Sequence, residues 1–299
     1  MRIGFIGVGK MGKPMAKHIL EGGHELWVHD VSRAAAADLL ETGALWAATP
    51  AEAANGSAIV FMSLPMPKDV EQVCLGKGGI VETIPSGSAI VDLSTNAPSL
   101  VRRLHEEFKS RRNAEFMDIG VSGGPRGAAS RDMSLLAGGD KATYERIKPV
   151  LDLLGDKPVY CGPSGSGIIT KLCHNLFAYI LQWSMAEVLT LGVKAGVELP
   201  VLIEGISKSG MGKNPPFEQW RKGTVITNFD PDPFGFALEL AHKDVKLACE
   251  LASEFMVPLD MGTIAEQRLM EAVNRGWGKK KAAVYRTLQE DRAGVRLAR

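Results

Sequence analysis

Apolar residues follow two different rhythms along this 299-residue chain. In the first half, short apolar runs, RIGFIG, ELWVHD, AIVFMS, SAIVDLS, AEFMDI and MSLLAGG, have the length and continuity of strands buried on both faces. Between several of them lie stretches such as KPMAKHILEGG and PSLVRRLHEEFKSRR, where apolar positions recur at helical spacing. This alternation predicts a doubly wound α/β domain, a mostly parallel sheet with helices on both faces. After KPVYCGPSGSG the rhythm changes: IITKLCHNLFAYILQWSMAEVLTLGVKAGV, FALELAHKDVKLACELASEF and GTIAEQRLMEAVNRG all keep the helical period. The spacing predicts a sheet domain over residues 1–162 and an all-helical domain over 163–299 that begins with a long linking helix. A chain of this length is expected to form two cores.

Composition narrows the function classes without naming one. The hydrophobic share of 45% and charged share of 23% are those of an ordinary globular protein. A net charge of +1 gives no overall field to draw nucleic acid or anionic lipid, so any anion must be caught locally. The basic run at Lys279 to Lys281 leads into a segment of mixed sign and reads as a solvated face or a frayed end. Cys74, Cys161, Cys173 and Cys249 are isolated, and the histidines lack ligand spacing, so neither a metal centre nor a disulfide framework is expected. No uninterrupted apolar run approaches the ~18 residues of a membrane span, and a cytoplasmic protein is the simplest expectation.

The first strand runs into GVGKMG, which places Gly7, Gly9 and Gly12 in the G-x-G-x-x-G spacing of a Rossmann turn, with Val8, Lys10 and Met11 between them. The first glycine permits the turn, the second lets backbone approach a pyrophosphate, and the third allows close packing of helix on strand. Asp30 ends the next strand, where a carboxylate can accept hydrogen bonds from ribose hydroxyls; a turn or cap role would suit it as well. Its charge would repel a 2′-phosphate, which favours NAD. Arg33, three residues on, is suited to grip that phosphate and keeps NADP open.

Two further loops leave the carboxyl ends of predicted strands, the usual ligand edge of such a sheet. Leu64 and Pro65 in the first can pack on a cofactor, and Ser94, Thr95 and Asn96 in the second can hydrogen-bond near a nicotinamide. Plain turn chemistry is the alternative for both. Ser122, Gly123 and Gly124 follow another strand, and successive N–H groups of such a turn form a concavity that fits a carboxylate. A flexible turn would look the same.

Taken in order, GFIGVGKMGKPMA, DIGVSGGPRGA, GSGIITKLCHN and KDVKLA resemble the four motifs of the β-hydroxyacid dehydrogenase family, over nearly the whole chain. The resemblance implies a Rossmann domain followed by a helical domain like that of 6-phosphogluconate dehydrogenase, and a homodimer or homotetramer. It also implies hydride transfer between a nicotinamide cofactor and a small 3-hydroxy acid or its semialdehyde. Lys171 would be the catalytic residue, Asn175 a substrate contact, Ser122 to Gly124 the carboxylate cradle, and Lys243 a contact to cofactor and substrate. The chain departs from the frequent DAPVSGG at Ile119 and Gly120, which are expected to alter the substrate pocket without touching Lys171, and at His174, where asparagine is frequent.

Removing a hydroxyl proton as hydride leaves requires a base such as a lysine amine, available when the pKa of its ammonium falls toward the working pH, as burial or a nearby cation can arrange. On a helix, Lys171 shares a face with Gly167, Ile168, His174, Asn175 and Ala178, at the edge of an apolar stripe of Ile169, Leu172, Cys173, Leu176 and Ile180. Surface snorkelling is the ordinary fate of one lysine, and it remains the alternative for Lys243 as well. Arg126 and Lys213 are candidate partners for an anionic substrate side group. Two other functions fit parts of the pattern: imine reduction on a similar scaffold, where the proton donor differs, and a non-catalytic nicotinamide-binding module.

Overall fold

A computed structural model describes residues 1–210, 228–231 and 235–297. The chain forms two compact units, Met1–Cys173 and His174–Arg299.

In the first unit, continuous apolar runs become strands because both faces of the sheet are covered. β1 (Arg2–Ile6), β2 (Glu25–His29), β4 (Ile59–Met62), β5 (Ala89–Asp92) and β6 (Glu115–Ser122) are the sequence-predicted strands of the parallel part. A two-residue β3 (Leu45–Trp46) joins β2, and β7 (Ser134–Gly138) and β8 (Lys157–Gly162) extend the other edge. The order is β3-β2-β1-β4-β5-β6-β7-β8, all neighbours parallel except β6 and β7. The reversal of strand order at β1 and β4 opens the crevice where doubly wound sheets bind ligands.

α1 (Gly12–Glu21), α2 (Ala37–Glu41), α3 (Pro50–Ala54), α4 (Pro67–Leu75), α5 (Pro98–Arg112), α6 (Gly124–Ser130) and α7 (Lys141–Leu151) fill the connections. Local chemistry starts several of them. Thr49 Oγ1 accepts the Glu52 N–H ahead of α3, with Pro50 at its first position, and Asp140 accepts the Thr143 N–H ahead of α7. The core joins Phe5, Val28, Phe61, Val91 and Met117 from the sheet to Met15, Ala16 and Ile19 of α1. Each of these side chains other than Ala16 contributes about 1.5–3 kcal/mol when removed from water.

α8 (Ser166–Lys194) is a continuous 29-residue helix. Its buried positions are Gly167, Ile168, Lys171, Leu172, Asn175, Tyr179, Trp183, Ala186, Leu189 and Thr190, at steps of three and four. This corrects the predicted stripe: Cys173 is exposed and Ile169, Leu176 and Ile180 only half-buried, while Lys171 and Asn175 lie within the buried face. By length and composition α8 could cross a bilayer, with a mean hydropathy of 1.4 over 18 residues, because averaging passes over its polar interruptions.

The helical unit adds α9 (Leu199–Lys208), α10 (Leu238–Glu254), α11 (Asp260–Ala272) and α12 (Thr287–Ala293). Its core packs Tyr179 and Trp183 with Leu238, Ala241 and Val245 of α10, Leu269 of α11, and Tyr285 and Leu288. The Tyr285 hydroxyl donates to the Tyr179 carbonyl at 2.7 Å, so the buried phenol is satisfied.

Candidate active site

The glycine loop between β1 and α1 divides its work as its spacing implies. Gly7 has φ +87°, and a Cβ there would lie 2.4 Å from the Ser63 carbonyl oxygen. A Cβ on Gly12 would lie 1.9 Å from the Gly7 carbonyl oxygen. Gly9 meets nothing within 4 Å, so its backbone borders open space, the condition that the predicted approach of a pyrophosphate requires. Val8 is buried, Lys10 is exposed, and Met11 packs against the core while leaving the start of α1 without a side-chain cap, which suits an anion. Asp30 accepts the Val8 N–H and the Ser32 N–H, both at 2.9 Å. It therefore braces the loop as a turn residue while lying at the end of β2. Arg33 stands over the Trp46 ring, 5.5 Å from its centroid.

The loops after β4 and β5 are tied to each other. The Leu64 N–H donates to Ser94 Oγ at 2.9 Å, and Asp92 accepts the Ser94 N–H at 2.9 Å and the Asn96 amide at 3.2 Å. Asn96 Oδ1 in turn accepts the Ala97 N–H. Ser94 and Asn96 are buried and occupied in shaping the loop, whereas Thr95 is half-buried between them and Leu64 and Pro65 reach the surface. Burial pushes the Asp92 carboxyl up to about 6; hydrogen bonds from Ser94 and Asn96 oppose the rise, and the charge of Asp118 adds to it.

β6 ends in the predicted cradle. Gly123 and Gly124 have φ of +141° and +62°, conformations that suit glycine, and Gly124 borders open space. Ser122 is half-buried at the end of the strand, and Arg126 is exposed on α6. Lys171 is only 8% exposed. The expectation that residues 119 and 120 leave it untouched is corrected: a Cβ on Gly120 would lie 2.5 Å from Lys171 Cβ. Ile119 points the other way, into the hydrophobic core, because successive strand residues alternate faces.

In the helical unit, Asn175 donates from Nδ2 to Asp244 Oδ2 at 2.7 Å, and the His174 ring contacts Asn175 Oδ1 at 3.0 Å. Lys243 pairs with Asp244 Oδ1 at 3.0 Å, and both side chains are largely buried. Asp244 thus joins Asn175 to Lys243. It had a signal in the sequence, the second residue of KDVKLA, but a charged residue on a helix reads first as solvated. Lys213 lies outside the described residues. No cluster of metal ligands occurs among the described residues.

Residues 2–162 match the model of the NAD binding domain of 6-phosphogluconate dehydrogenase, and residues 165–288 that described as NAD-binding of NADP-dependent 3-hydroxyisobutyrate dehydrogenase. The chain is 33% identical to 2-(hydroxymethyl)glutarate dehydrogenase of Eubacterium barkeri over 298 residues, covering 100% of this chain and 98% of that protein. It is 31% identical to the NAD-dependent L-serine dehydrogenase of Pseudomonas aeruginosa over 297 residues, 98% and 99% of the two chains. The solved structure of Mycobacterium tuberculosis 3-hydroxyisobutyrate dehydrogenase with L-serine superposes with a TM-score of 0.83 at 25% identity, covering 96% of this chain and 98% of that one. The chain belongs to the β-hydroxyacid dehydrogenase family, NAD(P)-dependent oxidoreductases that act on the CH–OH group of small hydroxy acids.

Proposed function

We propose that this enzyme acts on primary alcohols of the form HOCH2–CH(R)–COO⁻, with Lys171 moving the hydroxyl proton. L-serine, 3-hydroxyisobutyrate and 2-(hydroxymethyl)glutarate, the compounds in the relatives' names, share that skeleton and differ in R. The bound nicotinamide supplies the hydride acceptor in oxidation and the donor in reduction. Ser122 to Gly124 hold the substrate carboxylate through backbone N–H groups, and neutral Lys171 takes the hydroxyl proton as the carbinol C–H bond breaks. In reduction the Lys171 ammonium returns it. Asn175 and Lys243 contact the substrate, Lys243 also the cofactor, and Asp244 holds both. Gly7 to Gly12, Asp30, Leu64, Pro65 and Thr95 are assigned to the dinucleotide, with Asp30 favouring NAD over NADP. By function we divide the chain into a 1–162 dinucleotide module and a 163–299 helical module, the latter starting with the helix that carries Lys171.

The observation that carries this reading is the burial of Lys171 of α8 against Gly120 of β6, the strand that runs into Ser122 to Gly124. Lys171→Ala is expected to keep cofactor affinity and lose about a hundredfold to ten-thousandfold in kcat. Full activity of that variant on its best hydroxy acid would overturn the assignment, and turnover on an imine panel alone would replace the reaction class.

The four cysteines are unpaired, which fits a reducing cytoplasm. Phe177, Val188 and Leu191 of α8, Val201 of α9, and Phe255 to Val257 leave large apolar surfaces exposed. A homodimer or homotetramer would cover them and account for the apolar composition of α8 without a membrane. A monomer in sedimentation equilibrium would refute that assembly.

A further inference from the structure

α8 begins without a capping side chain at its own N-cap, because Gly165 stands there with φ +93°. The Ser166 N–H bonds locally to the Pro163 carbonyl at 3.0 Å, but two neighbouring N–H groups are met from a distant strand. Asp118 of β6 accepts the Gly165 N–H through Oδ1 and the Ile168 N–H through Oδ2, both at 2.8 Å, and is itself 2% exposed. A carboxylate at this end also answers the helix dipole.

Glycines let the helix come down onto strand backbone. A Cβ on Gly167 would lie 2.3 Å from the Leu136 carbonyl oxygen and 2.4 Å from that of Asp118, and one on Gly138 would lie 2.6 Å from the Gly167 nitrogen. A Cβ on Gly120 would press on Lys171 Cβ and Cγ, at 2.5 and 3.1 Å. Asp118, Gly120 and Ser122 occupy alternate positions and so share one face of β6. Along that face the strand binds the first turn of α8, receives the base of Lys171, and begins the cradle. Lys171 is three residues past Ile168, so the cap and the lysine are separated by less than one turn of rigid helix.

We propose that Asp118 is a positioning residue for Lys171: by bonding the first turn of α8 it sets the lysine at a fixed distance from the cradle on its own strand, and Gly120 supplies the room this needs. The proposal rests on Lys171 as the proton-transferring group. Its consequence is that disturbing either residue harms the chemical step more than binding.

The experiment is a pair of double-mutant cycles with D118N and G120A, each made in the native chain and in K171A. The asparagine keeps the shape but turns an N–H donor toward a helix N–H. The alanine leaves the cap intact and inserts only a Cβ, so it remains informative if D118N fails to fold. Cofactor affinity by fluorescence titration verifies that each protein is folded. Each single variant is expected to lose about a hundredfold in kcat, the cost of an ångström-scale misplacement, with substrate KM and cofactor Kd unchanged. Added to K171A, neither is expected to reduce activity further.

Equal losses in both backgrounds, a loss confined to KM, or full activity of G120A would overturn the positioning role while leaving Lys171 assigned. Full activity of K171A alone would instead remove the assignment, and the proposal with it.

Discussion

Asp92→Asn offers a test of the site's electrostatics without ligand. Asp92 is 1% exposed at the end of β5, and burial raises its pKa from 3.8 to about 6. The folded protein thus holds this proton more tightly than the unfolded chain. The stability the group contributes is fully present below about pH 3.8 and is lost as pH rises through about 6. Above that range the ionised, buried carboxylate costs about 3 kcal/mol relative to its protonated form. Asparagine escapes this cost at every pH and keeps an acceptor for the Ser94 N–H, but it loses the second acceptor that serves Asn96, worth about 1 kcal/mol. The variant is therefore expected to be about 1–3 kcal/mol more stable than the native protein above about pH 7, and equal or less stable below about pH 4. Urea denaturation of both proteins across that range measures the difference, in which the titrations of groups not coupled to Asp92 cancel; Asp118, relieved of its neighbour's charge, adds to the gain at high pH. A difference independent of pH, or one that favours the native protein increasingly as pH rises, would refute the reasoning.

The glycine loop separates folding from binding. Gly12→Ala, with its Cβ 1.9 Å from a carbonyl oxygen, should cost at least about 1–3 kcal/mol of stability by thermal melting, whereas Gly9→Ala meets nothing and should change it by less than about 0.5 kcal/mol. The Gly9 variant should instead bind reduced cofactor roughly tenfold more weakly in a fluorescence titration, about 1.4 kcal/mol. Asp244→Ala removes the acceptor of the Asn175 amide and should cost about 1–3 kcal/mol in stability together with a raised substrate KM; unchanged kinetics would show that Asn175 needs no such support. Asp30→Ala should raise the ratio of NADP to NAD in kcat/KM, measured side by side, and an unchanged ratio would place cofactor choice elsewhere.

β1, β4, β5 and β6 announce themselves in the sequence because burial on both faces leaves their apolar runs uninterrupted, while β2 and β7 alternate buried with less buried positions and are read from their apolar residues. β8 is half-exposed at the sheet edge and carries Pro158, so it shows neither continuity nor clean alternation. The turns at Gly7 and at Gly123 and Gly124 were legible because glycine at a fixed offset reports backbone conformation directly. Asp92, Asp118 and Asp244 were not, since a buried carboxylate and a solvated one are the same letter. Ser94 and Asn96 carried two readings in the sequence, because side chains able to bind a ligand are equally able to bind backbone, as both do here. On α8, counting apolar residues located a stripe, but burial follows the packing face, and that face includes a lysine and an asparagine.

Asp92 and Asp118 are register partners on adjacent strands, and their side-chain bonds go to the protein itself. One shapes the loop beside the predicted nicotinamide contacts, and the other anchors the lysine's helix. For anyone redesigning this enzyme, the two carboxylates define a chassis to leave alone. Libraries for new R groups belong at positions such as Arg126, whose exposed side chain lies beyond the cradle and outside that frame.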